Sequence, residues 1–137
     1  MSISALRDTL KTGLETISGL KVYDTVPDAI GQLPAFFMLP KSGDYDQAAS
    51  GQFYRLMLEG TLLIRRVSEV QQAQDSLDSY LQPTGSSSVK AAIEAVDYST
   101  DADVVRVSGF RDYGGLEFAG QQFIGCKFDI ECYLWPT

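Results

Sequence analysis

Histidine is absent from the 137 residues. Its absence removes the commonest general base and metal ligand at neutral pH, and with it every serine or cysteine triad built on imidazole. Only two cysteines occur, Cys126 and Cys132, and no Cys-x-x-Cys pair is available for zinc. On one extended segment they stand ~20 Å apart at about 3.3 Å per residue, out of reach of a disulfide. They are expected as buried thiols acting as small apolar groups. Basic residues are scarce: 11 Lys and Arg stand against 18 Asp and Glu, for a net charge of −7. The basic doublet is Arg65-Arg66. Duplex binding draws its affinity from cations that neutralise phosphates, so DNA is disfavoured as a tightly held ligand. Long apolar runs are missing too. No window approaches the ~18 residues of a membrane span, and MSISALRDTLKTGLETI lacks the continuous apolar region of a secretion signal. The expectation is a chain made in the cytoplasm with no membrane partner.

Motifs for chemistry are equally sparse. There is no Gly-x-x-x-x-Gly-Lys-Ser/Thr and no Gly-x-Gly-x-x-Gly. The glycines at 109, 114, 115, 120 and 125 fall where turns and bulges between strands explain them. Asp44-Tyr45-Asp46 begins like a calcium loop, but Ala48 and Ala49 stand where a ligand and the turn glycine belong, and Arg55 replaces the bidentate glutamate. Asp101-Ala102-Asp103 reads as a solvated turn before a strand, and Ser86-Ser87-Ser88 as a helix cap. No catalytic residue, cofactor site or metal site is assigned, and the chain is expected not to be an enzyme.

What is present is an ordinary globular pattern, 45% hydrophobic and 21% charged, of a length that fits one domain spanning residues 1–137. Ile3, Leu6, Leu10, Leu14 and Ile17 recur at helical spacing, with Ser2 or Ser4 as cap and Gly19 as stop. Residues 20–25 and the proline-bracketed 35–39 read as strands. KSGDYDQAASGQ, residues 41–52, is small, polar and without period, and reads as a flexible loop. From Phe53 to Val67 the chain is β-like. Tyr54, Leu56, Leu58, Leu62 and Ile64 share one face. Arg55, Glu59, Thr61 and Arg65 share the other with Met57 and Leu63, a face too mixed for plain solvent exposure. Ser68 and Gln71 form a capping box ahead of a stripe of Val70, Ala73, Leu77 and Leu81, and a short helix over Val89–Val96 follows. Strands over 104–113 and 116–119, separated by Gly114-Gly115, lead to a last strand. There Ile124, Cys126, Phe128, Ile130, Cys132 and Leu134 oppose Lys127, Asp129 and Glu131. The predicted class is α+β: a mostly antiparallel, mixed sheet with an N-terminal helix and two middle helices packed on one side.

Three segments carry a resemblance: ALRDTLKTGLETISGLKVYDTVPDAI, RRVSEVQQAQDSLDSYLQPTGSSSVKAAIEA and VVRVSGFRDYGGLEFAGQQFIGCKFDIECYL. In their order the whole chain resembles the tail terminator (tail completion) proteins of long-tailed bacteriophages, most closely over residues 74–81, 85–93 and 109–114. The resemblance implies a structural virion protein, a subunit that forms a ring with itself, usually a hexamer. Such a ring caps the tail tube protein, stops tube growth and offers a surface to the head connector or stopper. Assembly takes place in the bacterial host cytoplasm, and the product belongs to the tail or neck of the virion. DNA passes through the centre without specific binding, and an acidic lumen suits that passage by repelling phosphates. Head–tail connector and stopper proteins share the style and form the alternative, with a small-ligand-binding α+β module behind them. Lys41, Asp44, Tyr45, Asp46, Gln47, Gln52, Arg65, Arg111 and Tyr113 are the residues expected at the tube or subunit interface, with the loop ordering on contact.

Overall fold

The computed structural model describes residues 2–23, 25–45, 53–66, 70–98 and 101–135, with backbone alone at 70–72. Its elements run α1 (Ile3–Leu14), β1 (Lys21–Tyr23), β2 (Ala35–Asp44), β3 (Tyr54–Arg66), α2 (Val70–Leu81), α3 (Val89–Glu94), β4 (Val104–Phe118) and β5 (Gln121–Leu134). The strands form one five-stranded sheet in the order β1-β2-β3-β5-β4. The β1–β2 pair is parallel and the rest are antiparallel. The fold is therefore α+β with a mixed, mostly antiparallel sheet, as the alternation of apolar positions predicts.

The helices lie on one face because their stripes and the apolar face of the sheet share one core. Leu6, Leu10 and Leu14 of α1, Ala73 and Leu77 of α2, and Val89 and Ile93 of α3 join Leu56, Leu58, Leu62 and Ile64 of β3. From β5 come Cys126, Phe128, Ile130, Cys132 and Leu134. Both thiols are free and buried, and burial pushes each up to about 12, well above reactive range. Gly60 leaves the room that Phe36 fills: a Cβ there would lie 2.4 Å from the Phe36 ring. The predicted caps at two helix starts are in place. Ser2 Oγ accepts from Ala5 N–H, and Ser88 Oγ accepts from Ala91 N–H while donating to the Gln82 carbonyl.

Several boundaries differ from the sequence reading. The first helix stops at Leu14 rather than near Gly19, because tighter turns take over: Thr16 and Ile17 donate to the Gly13 and Leu14 carbonyls. Ile17 is still buried, so the stripe is right and the helix shorter. Residues 41–44 are strand, not loop. Polar composition hid them, but Ser42, Gly43 and Asp44 pair with Met57, Leu56 and Arg55 after a bulge at Lys41. The remainder of that segment, 46–52, lies outside the described residues, as does Ser68 of the expected capping box. The C-terminal third is a long hairpin rather than a three-stranded meander. Gly114-Gly115 forms no turn between strands; it belongs to a bulge where the register jumps between Arg111 and Gly114, with Asp112 at φ 58° and Gly114 at φ 135°. The reversal comes instead at Ala119-Gly120, both at positive φ, as a two-residue hairpin turn demands.

That bulge bends β4 over the sheet's helix-free face. In a flat sheet β2 and β4, three strand steps apart, would be separated by roughly 14 Å. Instead the rings of Phe37 and Phe118 meet at 4.8 Å. The curl closes a small second core of Ile30, Ala35, Phe37, Leu63 and Phe123, with Leu116 and Phe118 against it.

The edge strand β4 and the part of β2 beyond its short pairing with β1 both carry devices that discourage further pairing. On β4, Glu94 Oε2 accepts from Val107 N–H at 2.9 Å and Lys90 Nζ donates to the Val107 carbonyl at 3.3 Å. On β2, Pro40 has no N–H to offer and Lys41 is bulged.

Candidate functional site

The helix-free face carries two systems of paired charges. The first is centred on Glu59, in the middle of β3 and only 7% exposed. Register sets Glu59 between Leu39 of β2 and Asp129 of β5. Lys41, released by its bulge, donates to Glu59 Oε2 at 2.7 Å. Arg111 reaches across β5 to the same oxygen, and Lys127 Nζ stands 3.5 Å from Oε1. Arg111 also holds Asp129 at 3.2 Å and Asp112 at 2.9 Å. Burial opposes the charge on Glu59, yet the Lys41 and Arg111 hydrogen bonds, helped by Lys127, outweigh it and hold the carboxyl at about 2. The Glu59 bond, with Asp129 behind it, raises Arg111 in turn. Three cations face three carboxylates, so the cluster is closed and neutral.

The second system is a row nearer the Asp44 end of the sheet. Arg55 Nη1 bonds Asp44 at 3.0 Å, Arg55 Nη2 bonds Glu131 at 3.1 Å, and Arg106 Nε stands 3.5 Å from the other Glu131 oxygen. The Arg55 hydrogen bond is the main reason Glu131 is held below the usual carboxylate range. Signs alternate across β2, β3, β5 and β4. Beside the row lies an aromatic rim, where Phe53 stacks on Tyr133 at 5.6 Å, Trp135 meets Phe53 at 4.7 Å, and Tyr45 meets Tyr54 at 6.2 Å.

The curled hairpin and the face enclose a groove of about 380 Å³, apolar at Phe37, Leu63, Leu116 and Phe118 and closed at its polar end by Glu59 and Lys127. Glu117, which accepts from the Gln122 amide, also lines the groove. Among the described residues, no three His, Cys, Asp or Glu side chains are grouped to hold a metal, and no helix is long and apolar enough to cross a membrane.

The residues expected at an interface divide. Lys41 and Arg111 are brought together on Glu59, and Asp44 and Tyr45 stand at one end of β2, Tyr45 79% exposed. Arg65 is exposed on β3 away from both, at the bulge between Leu63 and Arg65. Tyr113 points to the helix side, donating to Asp78 of α2 at 2.9 Å. Asp46, Gln47 and Gln52 lie outside the described residues. Sequence reasoning missed Arg55, Glu59, Lys127, Asp129, Glu131 and Arg106 as one surface. Their signal was the charged face of β3 and of β5; the missing fact was the register that lays those faces side by side. Compared with known proteins, the chain matches no family model and no curated protein sequence.

Proposed function

We propose that the protein is a tail terminator: a ring-forming structural subunit that caps a phage tail tube, ends its polymerisation and presents a surface to the head connector. The reading rests on the order of segments that resembles that family. One structural observation supports it. Asp44, Glu59, Asp129 and Glu131 of the open face are held in ion pairs with Lys and Arg, while apolar side chains at the sheet margin, Tyr45, Val104, Phe110 and Trp135, are exposed. Charges locked into pairs fix a surface's shape and suit contact with other chains. Exposed Tyr, Trp and Phe are the side chains that anchor such contacts.

The net charge of −7 accords with a subunit whose ring DNA traverses without being gripped. Electron microscopy of particles from a phage deleted for this gene tests the reading. Overlong tails without heads are the expected result. Tails of normal length beside heads that leak DNA overturn it in favour of a connector or stopper, and normal infectious particles overturn both.

A further inference from the structure

The charge row across the open face is unfinished at both ends. It reads Asp44, Arg55, Glu131, Arg106 across β2, β3, β5 and β4, so it begins with an anion on β2, past the 35–37 stretch that β1 covers, and ends with a cation on the edge strand β4. The inner members each have two partners in the row. The outer members have one each and are the most exposed, their side chains 55% and 59% accessible against 31% for Arg55 and 13% for Glu131. An isologous dimer contact would set each end against its own sign. A head-to-tail neighbour sets Arg106 of one copy against Asp44 of the next.

The register fixes the offset of that pairing. It runs Asp44 to Arg55, Arg55 to Tyr133 and Tyr133 to Val104, so Asp44 stands level with Val104. Arg106 lies two residues further along β4, opposite Glu131, and a neighbour that brings it to Asp44 is shifted along the strand by roughly 7 Å. Each end also carries an exposed apolar group: Val104 lies on the open face two residues from Arg106, and Tyr45 follows Asp44 with its ring turned to Tyr54 at the helix-side margin. Continuation by backbone pairing is blocked nearby, at Val107 by Lys90 and Glu94 and on β2 by Pro40. The contact is therefore one of side chains.

We propose that the Asp44–Tyr45 lip of one copy docks on Val104–Arg106 of a second copy of this chain, continuing the alternating row from subunit to subunit around a heterologous ring. The proposal deepens the terminator reading and rests on it.

Charge reversal with mixing tests it, by sedimentation velocity over a concentration series with and without tail tubes. Asp44→Arg alone and Arg106→Asp alone each place like charges at every junction and are expected to need at least about tenfold more protein to assemble. Mixed in equal amounts, the two variants meet opposite charges at every junction of an alternating, even-numbered ring, and assembly is expected to return to the wild-type range. Rescue on mixing also establishes that both variants are folded. Single variants that assemble like wild type overturn the contact while leaving the ring intact. So do single variants that fail and stay failed when mixed. A wild-type chain that remains monomeric both alone and on tube ends overturns the ring itself, and the contact with it.

Discussion

The two faces of the sheet are built from the same strands and held by opposite means. On the helix side, three helices bury aliphatic and aromatic side chains against β3 and β5, and the stabilisation follows the area removed from water. On the other side, the same strands present Arg, Glu, Lys and Asp that neutralise one another across strand boundaries. Ion pairs gain little net energy after desolvation, but they fix which side chain stands where. One face therefore supplies most of the stability, and the other supplies a surface of defined shape and charge.

If that division is right, the largest losses come from the helix side. Leu62→Ala removes a side chain with no exposed surface at the middle of the core and is expected to cost about 2–5 kcal/mol in urea unfolding. Gly60→Ala acts on the same core from the other direction, since its Cβ would stand 2.4 Å from the Phe36 ring. A cost of about 1–3 kcal/mol is expected from overpacking. Equal losses from both a core leucine and an exposed charge of the open face would break the comparison.

Next in size is Glu59, the one buried charge among the described residues of the open face. The folded carboxyl of Glu59 is lowered from 4.5 to about 2, so the native state favours its ionised form. The stability this contributes is present above about pH 4.5 and is lost as the pH falls through 2, on the order of 3 kcal/mol in all. Glu59→Gln is expected to cost about that much at pH 7 and to flatten the unfolding free energy between pH 4.5 and 2. An unchanged slope in that window would mean the three cations do not hold the carboxylate.

The helix-side face was legible in the sequence and the open face was not, for a physical reason. Apolar alternation along β3 and β5 states which residues are buried, and period alone locates Leu56, Leu58 and Leu62 or Cys126, Phe128 and Ile130. A salt bridge between Arg55 and Glu131 depends on register, which no single strand encodes. The mixed face of β3 was visible as an anomaly, yet its explanation needed Arg111 from a strand bent by a bulge that the sequence presents as a Gly-Gly turn. Residues 41–44 were misread because polar composition resembles a loop, whereas Lys41 is polar in order to reach Glu59. Of the residues expected at an interface, Lys41, Asp44 and Arg111 fall on this face, while Tyr45 turns its ring to Tyr54 at the helix-side margin and Tyr113 is turned to α2 by the same bulge.

Lys41 sharpens the contrast within the open face. Its side chain is 52% exposed although its partner is buried, and Arg111 and Lys127 remain when it is lost. Lys41→Met is therefore expected to cost no more than about 1 kcal/mol, well below Glu59→Gln.

The smallest effect on the subunit is expected where the effect on assembly is largest. Arg106 reaches Glu131 at 3.5 Å with more than half its side chain in water, and Arg55 still pairs with Glu131 at 3.1 Å when Arg106 is gone. Arg106→Ala is thus expected to change unfolding free energy by less than about 0.5 kcal/mol, measured at a concentration where the chain is monomeric. If Arg106 ends the row only to meet the next copy, the same substitution weakens assembly, and added salt weakens the wild type toward the variant, because exposed charges are screened within about 8 Å at physiological ionic strength. A variant that loses subunit stability and assembly in proportion would place Arg106 among the groups that hold the fold, and would erase the distinction between the closed cluster around Glu59 and the open row beside it.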